Sequence, residues 1–145
     1  MFKRILIPTD GSDLSKQAVL AGIALAKKLD AEVIGLRVMP RFHTLSLDPE
    51  MLEDTAVRFR QTAQAEADAD LAFFSGGARD AGVASSIESI TSDDPWQSIL
   101  DTATARQCDL VVMASHGRKG WKGLLLGSET QKVLVNSKIP VLVYR

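Results

Sequence analysis

The sequence predicts a single α/β domain in which a mostly parallel β-sheet is covered by helices on both faces. Its 145 residues correspond to about one domain of ordinary size. Short apolar runs, typical of strands buried on both faces, alternate along the chain with segments of helical period. Strands that alternate with helices are joined by right-handed crossovers, which place the strands parallel in one sheet.

The first strand and helix are predicted near the N-terminus. Lys3–Pro8 is predicted to be a buried strand because the apolar run Ile5–Ile7 is followed by a proline. Apolar residues then recur every three or four positions across Leu14–Leu29, which is the spacing of an amphipathic helix. Ser12 or Asp13 is a suitable N-cap for that helix.

A second strand and helix follow. Val33–Met39 is a short apolar run that Pro40 ends, so we expect a second strand there. Residues 41–49 show no period and predict a loop. A helix is expected from Glu50 to roughly Phe74, with the glycines of Gly76–Gly77 ending it.

The last third of the chain supplies the remaining elements. Serines dilute the apolar pattern of Ala84–Ile90, which favours a strand at the edge of the sheet. Asp94 and Pro95 are an N-cap and a first helical residue. The later elements are a buried strand at Leu110–Met113, a helix at Ser128–Asn136 and a strand at Val141–Val143.

Composition and charge exclude several classes of protein. The single cysteine, Cys108, cannot form an internal disulfide and is expected to be an inert core thiol, and two histidines with one cysteine are too few for a structural zinc site. A net charge of −1 argues against nucleic acid as a partner. The longest nearly apolar stretch, Ala18–Ala26, is too short to span a membrane, and the N-terminus lacks a signal-peptide core. We therefore expect a cytoplasmic protein with no membrane partner.

Two loops that follow strands hold the candidate ligand-binding residues. Ligands of open parallel sheets bind beyond the carboxyl ends of the strands, which makes Pro8–Ser12 and Ala114–Ser128 the places to search. The second loop contains four of the ten glycines and three basic side chains: Arg118, Lys119 and Lys122.

The second loop has the chemistry of a phosphate site. Glycines let backbone N–H groups approach an anion closely, and the following helix adds its unpaired N-terminal amides. That helix opens with Ser128–Gln131, which has the form of a capping box. The loop matches neither the Walker A sequence nor the dinucleotide fingerprint. A phosphate-bearing ligand is predicted, held in a way that differs from both motifs.

The segment Met113–Pro140 resembles the signature region of the universal stress protein family, whose nucleotide-binding members carry G-x2-G-x9-G-Ser/Thr. Gly117 stands at the second glycine of that pattern, and Gly127 with Ser128 completes it; Ala114 replaces the first glycine. The N-terminal ILIPTDGS and the C-terminal IPVLVYR are also similar to the family. The resemblance thus covers residues 1–145 as one domain.

The resemblance implies a fold and a ligand. The fold is a five-stranded parallel sheet of order 3-2-1-4-5, open, twisted and Rossmann-like. The ligand is ATP, with Mg²⁺ or Mn²⁺ carried on its phosphates where a metal is present. By resemblance, Asp10 meets the adenine-ribose side beside Pro8 and Thr9, Val38 offers backbone contacts to adenine, and Met113 lines the pocket. The remaining site residues, placed around ribose and phosphates, are Ala114, His116, Gly117, Gly127, Ser128, Glu129 and Thr130.

The resemblance also implies assembly. Pro140–Arg145 is expected to be an apolar edge strand, and such edges are normally covered or paired. We expect a homodimer through antiparallel pairing of this strand with its copy.

Three functions remain open from the sequence. The leading interpretation is an ATP-binding, dimeric regulatory or stress-response module. The second is a slow ATP hydrolase or phosphoryl-transfer enzyme, in which Asp10 or His116 activates water, although the sequence has no Walker lysine and no paired carboxylate near the loop. The third is a nucleotide-free dimeric interaction module. It depends on Ala114, whose methyl group costs nothing at negative φ and about 1 kcal/mol or more where φ is positive or where a phosphate or ribose oxygen lies against its Cα.

Simpler roles stand beside the ligand-binding ones. Ser128 can serve only as the N-cap of its helix. Asp10 can serve only as a turn former that accepts hydrogen bonds from the following amides. His116 can be a turn residue beside the ligand with no role as a base.

Overall fold

The computed structural model describes residues 1–43, 49–118 and 125–145, with the backbone alone at 49–51. Lys119 and Lys122 of the predicted phosphate loop, and residues 44–48 of the predicted loop 41–49, lie outside the described residues. The elements in chain order are β1 (Arg4–Pro8), α1 (Asp13–Leu29), β2 (Glu32–Met39), α2 (Pro49–Ala81), β3 (Ser85–Thr91), α3 (Pro95–Ala105), β4 (Leu110–Ala114), α4 (Ser128–Asn136) and β5 (Val141–Tyr144).

The five strands form one parallel sheet in the order β3-β2-β1-β4-β5, as predicted. Alternate residues of β1 enter different cores: Ile5 and Ile7 face α1 and α2, whereas Leu6 faces α3 and α4. Both faces of the central strand are therefore buried, which is why its sequence is continuously apolar. The helices cover the two faces as predicted. None of the helices in the described residues combines the length and apolar character that crossing a membrane requires.

Helix α2 is longer than the sequence predicted, and the expected end at Gly76–Gly77 is wrong. The helix continues to Ala81, and Gly77 lies against α1: a Cβ there would lie 3.3 Å from Ile23 Cδ1. The chain leaves the helix at Gly82, where φ is +69°. The amides of Gly82 and Val83 then donate to the carbonyls of Arg79 and Ala78, which is the Schellman arrangement. Gly77 is therefore explained by the close packing of α2 on α1 and not by the end of the helix.

The two edges of the sheet differ in character. Strand β3 pairs with β2 at one edge, and its residues alternate between exposed and half-buried positions, which confirms the predicted edge strand. Strand β5 pairs with β4 at the other edge, where the side chain of Leu142 is 40% exposed. Cys108, just before β4, is buried, and burial raises the pKa of its thiol to about 11.

Candidate functional site

The candidate site lies where the order of the strands reverses. Strands β1 and β4 are neighbours, but α1 packs on one face of the sheet and α4 on the other. The two connections that leave β1 and β4 therefore separate and open a crevice at their carboxyl ends. Both loops that were singled out in the sequence begin at this crevice.

The loop after β1 is fixed by its own hydrogen bonds. The hydroxyls of Thr9 and Ser15 lie 2.7 Å apart, and the amide of Gly11 donates to Thr9 Oγ1 at 3.2 Å. Asp10 Oδ1 accepts from the amide of Ser12 at 3.0 Å, so Asp10 acts in part as a turn former. The hydroxyl of Ser12 caps α1 by accepting from the amide of Ser15. This network presents the Asp10 carboxylate at the mouth of the crevice.

Asp10 also joins the two loops. Its Oδ2 accepts from the backbone amide of Arg118 at 2.8 Å, across 108 residues of sequence. A Cβ at Gly117 would overlap this carboxylate, so only glycine permits the approach. Burial raises the pKa of Asp10, but hydrogen bonds from the hydroxyl and amide of Ser12 and from Arg118, with the nearby charge of Arg37, more than offset burial and lower it. Asp10 is therefore an anchored carboxylate and a weak base.

The N-terminus of α4 faces the same crevice. Gly127 is the N-cap, and its amide donates to Ser115 O at 2.7 Å. The first hydrogen bond of the helix runs from the amide of Gln131 to Gly127 O, so the helix provides no acceptor for the amides of residues 128–130. A Cβ at Gly127 would lie 3.2 Å from His116 Cα, which shows how closely the two ends of the loop approach. Three adjacent amides at a helix N-terminus form a receptor for an anion.

The predicted capping box does not form. Ser128 is the first helical residue and not the N-cap, and the amide of Gln131's side chain donates to Leu126 O at 3.0 Å. The carboxylate of Glu129 instead accepts from the backbone amide of Trp96 at 2.9 Å. It thereby caps α3, whose own N-cap residue, Asp94, makes no side-chain capping bond. In the sequence, Asp94 stands at the start of α3 and Glu129 at the start of α4. Because α3 and α4 pack together, Glu129 caps α3 in place of Asp94.

Strand β4 supplies the floor of the crevice. Ala114 is the last residue of β4 and has no positive φ, so alanine is accommodated there without backbone strain. Thr130 is buried, and its hydroxyl donates to Ala114 O at 3.0 Å, which fixes α4 to the end of the strand. Met113 is buried in the core beneath α3 and α4. The ring of His116, half-buried, lies with Nδ1 3.1 Å from Ser115 Oγ.

The end of β2 completes the crevice. Pro8 ends β1 and pairs with Leu36, whose carbonyl accepts from the amide of Thr9 at 2.9 Å. Peptide groups two residues apart on a strand point the same way, so the peptide group of Val38 points above the end of β1. Arg37 donates from Nη1 to Val38 O at 2.7 Å. Arg37 was not among the predicted site residues, although a charge inside the apolar run of β2 was a signal.

These features define a doubly wound α/β protein with an anion-receptive crevice at its switch point. A sequence model of the universal stress protein family matches residues 1–145. The chain is 32% identical over 145 residues to universal stress protein MJ0531 of Methanocaldococcus jannaschii, covering all of this chain and 83% of that protein. It belongs to the universal stress protein family.

Two solved structures show the same fold. The structure of protein MJ0577, also from Methanocaldococcus jannaschii, superposes with a TM-score of 0.82 at 28% identity, covering 99% of this chain and 96% of that one. A universal stress protein solved in complex with cAMP superposes with a TM-score of 0.73 at 25% identity, covering 99% and 97% of the two chains.

Proposed function

We propose that this protein is an ATP-binding universal stress protein that works as a dimeric regulatory module in the cytoplasm. One observation carries the proposal: the carboxyl ends of β1, β2 and β4 bring an amide cluster, an anchored carboxylate and the end of β2 that extends past β1 into one crevice. These are suited to phosphates, a ribose and a planar base. The relative crystallised with cAMP supports an adenine nucleotide as the class of ligand.

The phosphates would be held at the start of α4. Its amides at residues 128–130 point outward from the helix N-terminus, and the exposed hydroxyl of Ser128 adds a donor. The side chains of Glu129 and Thr130 are engaged by Trp96 and Ala114, so their part in binding is assigned to their backbone amides. Gly117 and Gly127 would contribute by close approach of the backbone, and His116 would border the phosphates.

The nucleoside would lie between β1 and β2. Asp10 would accept from ribose hydroxyls, with Pro8 and Thr9 below it, and the peptide group of Val38 would pair with the edge of adenine. Met113 and Ala114 would bound the pocket at β4. Among the described residues, three metal-binding side chains do not come together anywhere. A divalent ion would accordingly be carried by the phosphates, whose charge it would partly neutralise.

The structure supports the binding module over its two alternatives. Both carboxylate oxygens of Asp10 accept backbone amides and its pKa is lowered, which makes it a poor base for activating water. The nucleotide-free alternative depended on Ala114, and the extended backbone of β4 removes the cost that a positive φ would have imposed there. Binding of the ground state, without rapid hydrolysis, is what this arrangement favours.

A proline substitution tests the amide cluster directly. Ser128→Pro removes one backbone donor at a helix position that suits proline, and the extended backbone of Gly127 before it is compatible with the ring. Since hydrogen bonds to charged groups contribute about 1.5–3 kcal/mol, we expect ATP affinity to fall at least about tenfold by calorimetry.

Ser128→Ala is the matched control, because it removes the hydroxyl and keeps the amide. It should bind ATP more tightly than Ser128→Pro, and both variants should unfold near the wild-type temperature. Equal ATP binding by wild type and Ser128→Pro would place the phosphates elsewhere.

A further inference from the structure

A buried ion pair lies beside the candidate site and joins β2 to α2. Arg37 Nε donates to Asp70 Oδ2 at 3.0 Å, and the two side chains are 10% and 9% exposed. Asp70 falls on the inward stripe of α2, among the buried residues Ala67, Leu71 and Phe74. Removing two charges from water is costly, and apolar pairs of similar volume are often equally stable at such positions. Stability alone is therefore a weak explanation for this pair.

The arginine contacts one half of the nucleoside site. Its Nη1 donates to Val38 O at 2.7 Å while Nε holds Asp70, so the planar guanidinium is fixed by two partners at once. The Val38 peptide group is the one proposed to meet adenine. A carbonyl has two lone pairs, so the bond from Arg37 orients the Val38 carbonyl and leaves one position for a ligand donor.

The aspartate contacts the other half. A Cβ at Gly11 would overlap the Asp70 carboxylate, which shows that Asp70 packs directly against the backbone of the β1–α1 loop. Gly11 has φ of +78° and follows Asp10 in the chain. Movement of that loop towards α2 is blocked by Asp70. The loop can therefore hold the Asp10 carboxylate within reach of the Arg118 amide.

The charges around Asp10 come from three elements. Arg37 on β2 lowers the pKa of Asp10, although burial acts in the opposite direction and is the largest influence. Asp70 and Glu66 lie on α2, and Glu66 pairs with Arg118 of the β4 loop at 3.7 Å. The Arg37–Asp70 pair is the buried member of this group, and it contacts both the base side and the ribose side of the crevice.

We propose that Arg37 and Asp70 are a positioning pair that holds the Val38 peptide group and the Asp10 loop in the geometry that a nucleoside requires. The inference rests on the proposed function for its ligand. Its geometric content, that the pair fixes the Asp10 loop, can be measured without any ligand.

The test replaces both charges together, so that neither is left buried alone. In Arg37→Met/Asp70→Leu, we expect calorimetry to show ATP affinity reduced at least about tenfold. Tripolyphosphate, which has no nucleoside, should bind the double variant as it binds wild type. In the unliganded protein, hydrogen exchange of the Ser12 and Arg118 amides, which both donate to Asp10, should accelerate at least about tenfold.

A remote pair provides the matched control. Arg4 and Glu32 form an ion pair between the first residues of β1 and β2, at the amino edge of the sheet. Arg4→Met/Glu32→Leu should leave ATP affinity and both exchange rates unchanged. If the positioning double variant does not fold, Arg37→Lys keeps the buried charge but not the planar fork, and it should show the same pattern to a smaller degree.

The outcomes separate this inference from the proposed function. Wild-type exchange rates at Ser12 and Arg118 in the folded double variant would overturn the positioning role, and so would unchanged ATP affinity. An equal loss of ATP and tripolyphosphate binding would also overturn it, because the effect would then not belong to the nucleoside half. A wild type that binds no ATP would refute the proposed function, while the exchange measurement would still decide the role of the pair.

Discussion

At the scale of single residues, the site depends on close contacts at two glycines, and at Gly117 there is no room for a Cβ. Gly117 meets the Asp10 carboxylate, and Gly127 meets the backbone of His116. The spacing of these glycines was visible in the sequence, but their partners were not, since those partners come from other elements. Arg37 and Asp70 were missed for the same reason. Arg37 has a sequence signal, a charge in an apolar run, whereas Asp70 is one of several acids in α2, and only the fold pairs the two side chains.

Asp10 should make stability depend on pH in the acid range. Its pKa is lowered in the folded protein, so its ionised form stabilises the fold above its ordinary pKa near 4, and this contribution is lost as pH falls through the lowered value. Urea unfolding of wild type should therefore show a loss of stability below about pH 4 that Asp10→Asn shows to a smaller extent. Identical losses in the two proteins would show that the Asp10 carboxylate gains nothing from its amide partners.

At the scale of elements, the sequence predicted the strands and helices well because each carries its own period. The exposed alternation of β3 and the continuous apolar run of β1 both appeared as expected. Helix ends were predicted less well. The sequence cannot distinguish a glycine that ends a helix from one that lets two helices approach, and in α2 these are Gly82 and Gly77.

Two alanine substitutions in α2 test this assignment of its end. Gly76→Ala lies inside the helix, where the nearest atom to a new Cβ is 3.8 Å away, and should stabilise the protein by about 0.5–1 kcal/mol. Gly82→Ala meets nothing within 4 Å but must adopt φ of +69°, and should destabilise it by about 1 kcal/mol or more. Urea denaturation measures both changes. If Gly76→Ala destabilised the protein and Gly82→Ala stabilised it, the helix end predicted at Gly76–Gly77 would be the right one.

At the scale of the whole molecule, the strand order places the loops after β1 and β4 side by side. Two segments that are distant in sequence therefore form one site. The alternation of elements predicted a parallel sheet. The order 3-2-1-4-5 came from the family resemblance, because periodicity does not specify which strands are neighbours. The same order leaves β5 at an edge.

We expect that edge to pair with a second copy of the chain. Leu142 of β5 is 40% exposed, and Leu134 and Val135 of α4 are 39% and 82% exposed, so large apolar side chains are available near the outer edge of β5. An isologous dimer with β5 antiparallel to its copy would cover them. Light scattering at tens of micromolar should report a dimer, and Leu142→Asp should give a monomer. A monomeric wild type would rule out this interface.

Titration calorimetry of the wild type with ATP and with AMP shows whether the crevice binds ATP through its phosphates. Additional phosphates interact favourably with the amides at the start of α4 and with the basic side chains of the loop, so ATP should bind in the micromolar range and more tightly than AMP. Equal affinity for the two nucleotides, or no measurable binding of either, would show that the crevice does not bind ATP through its phosphates.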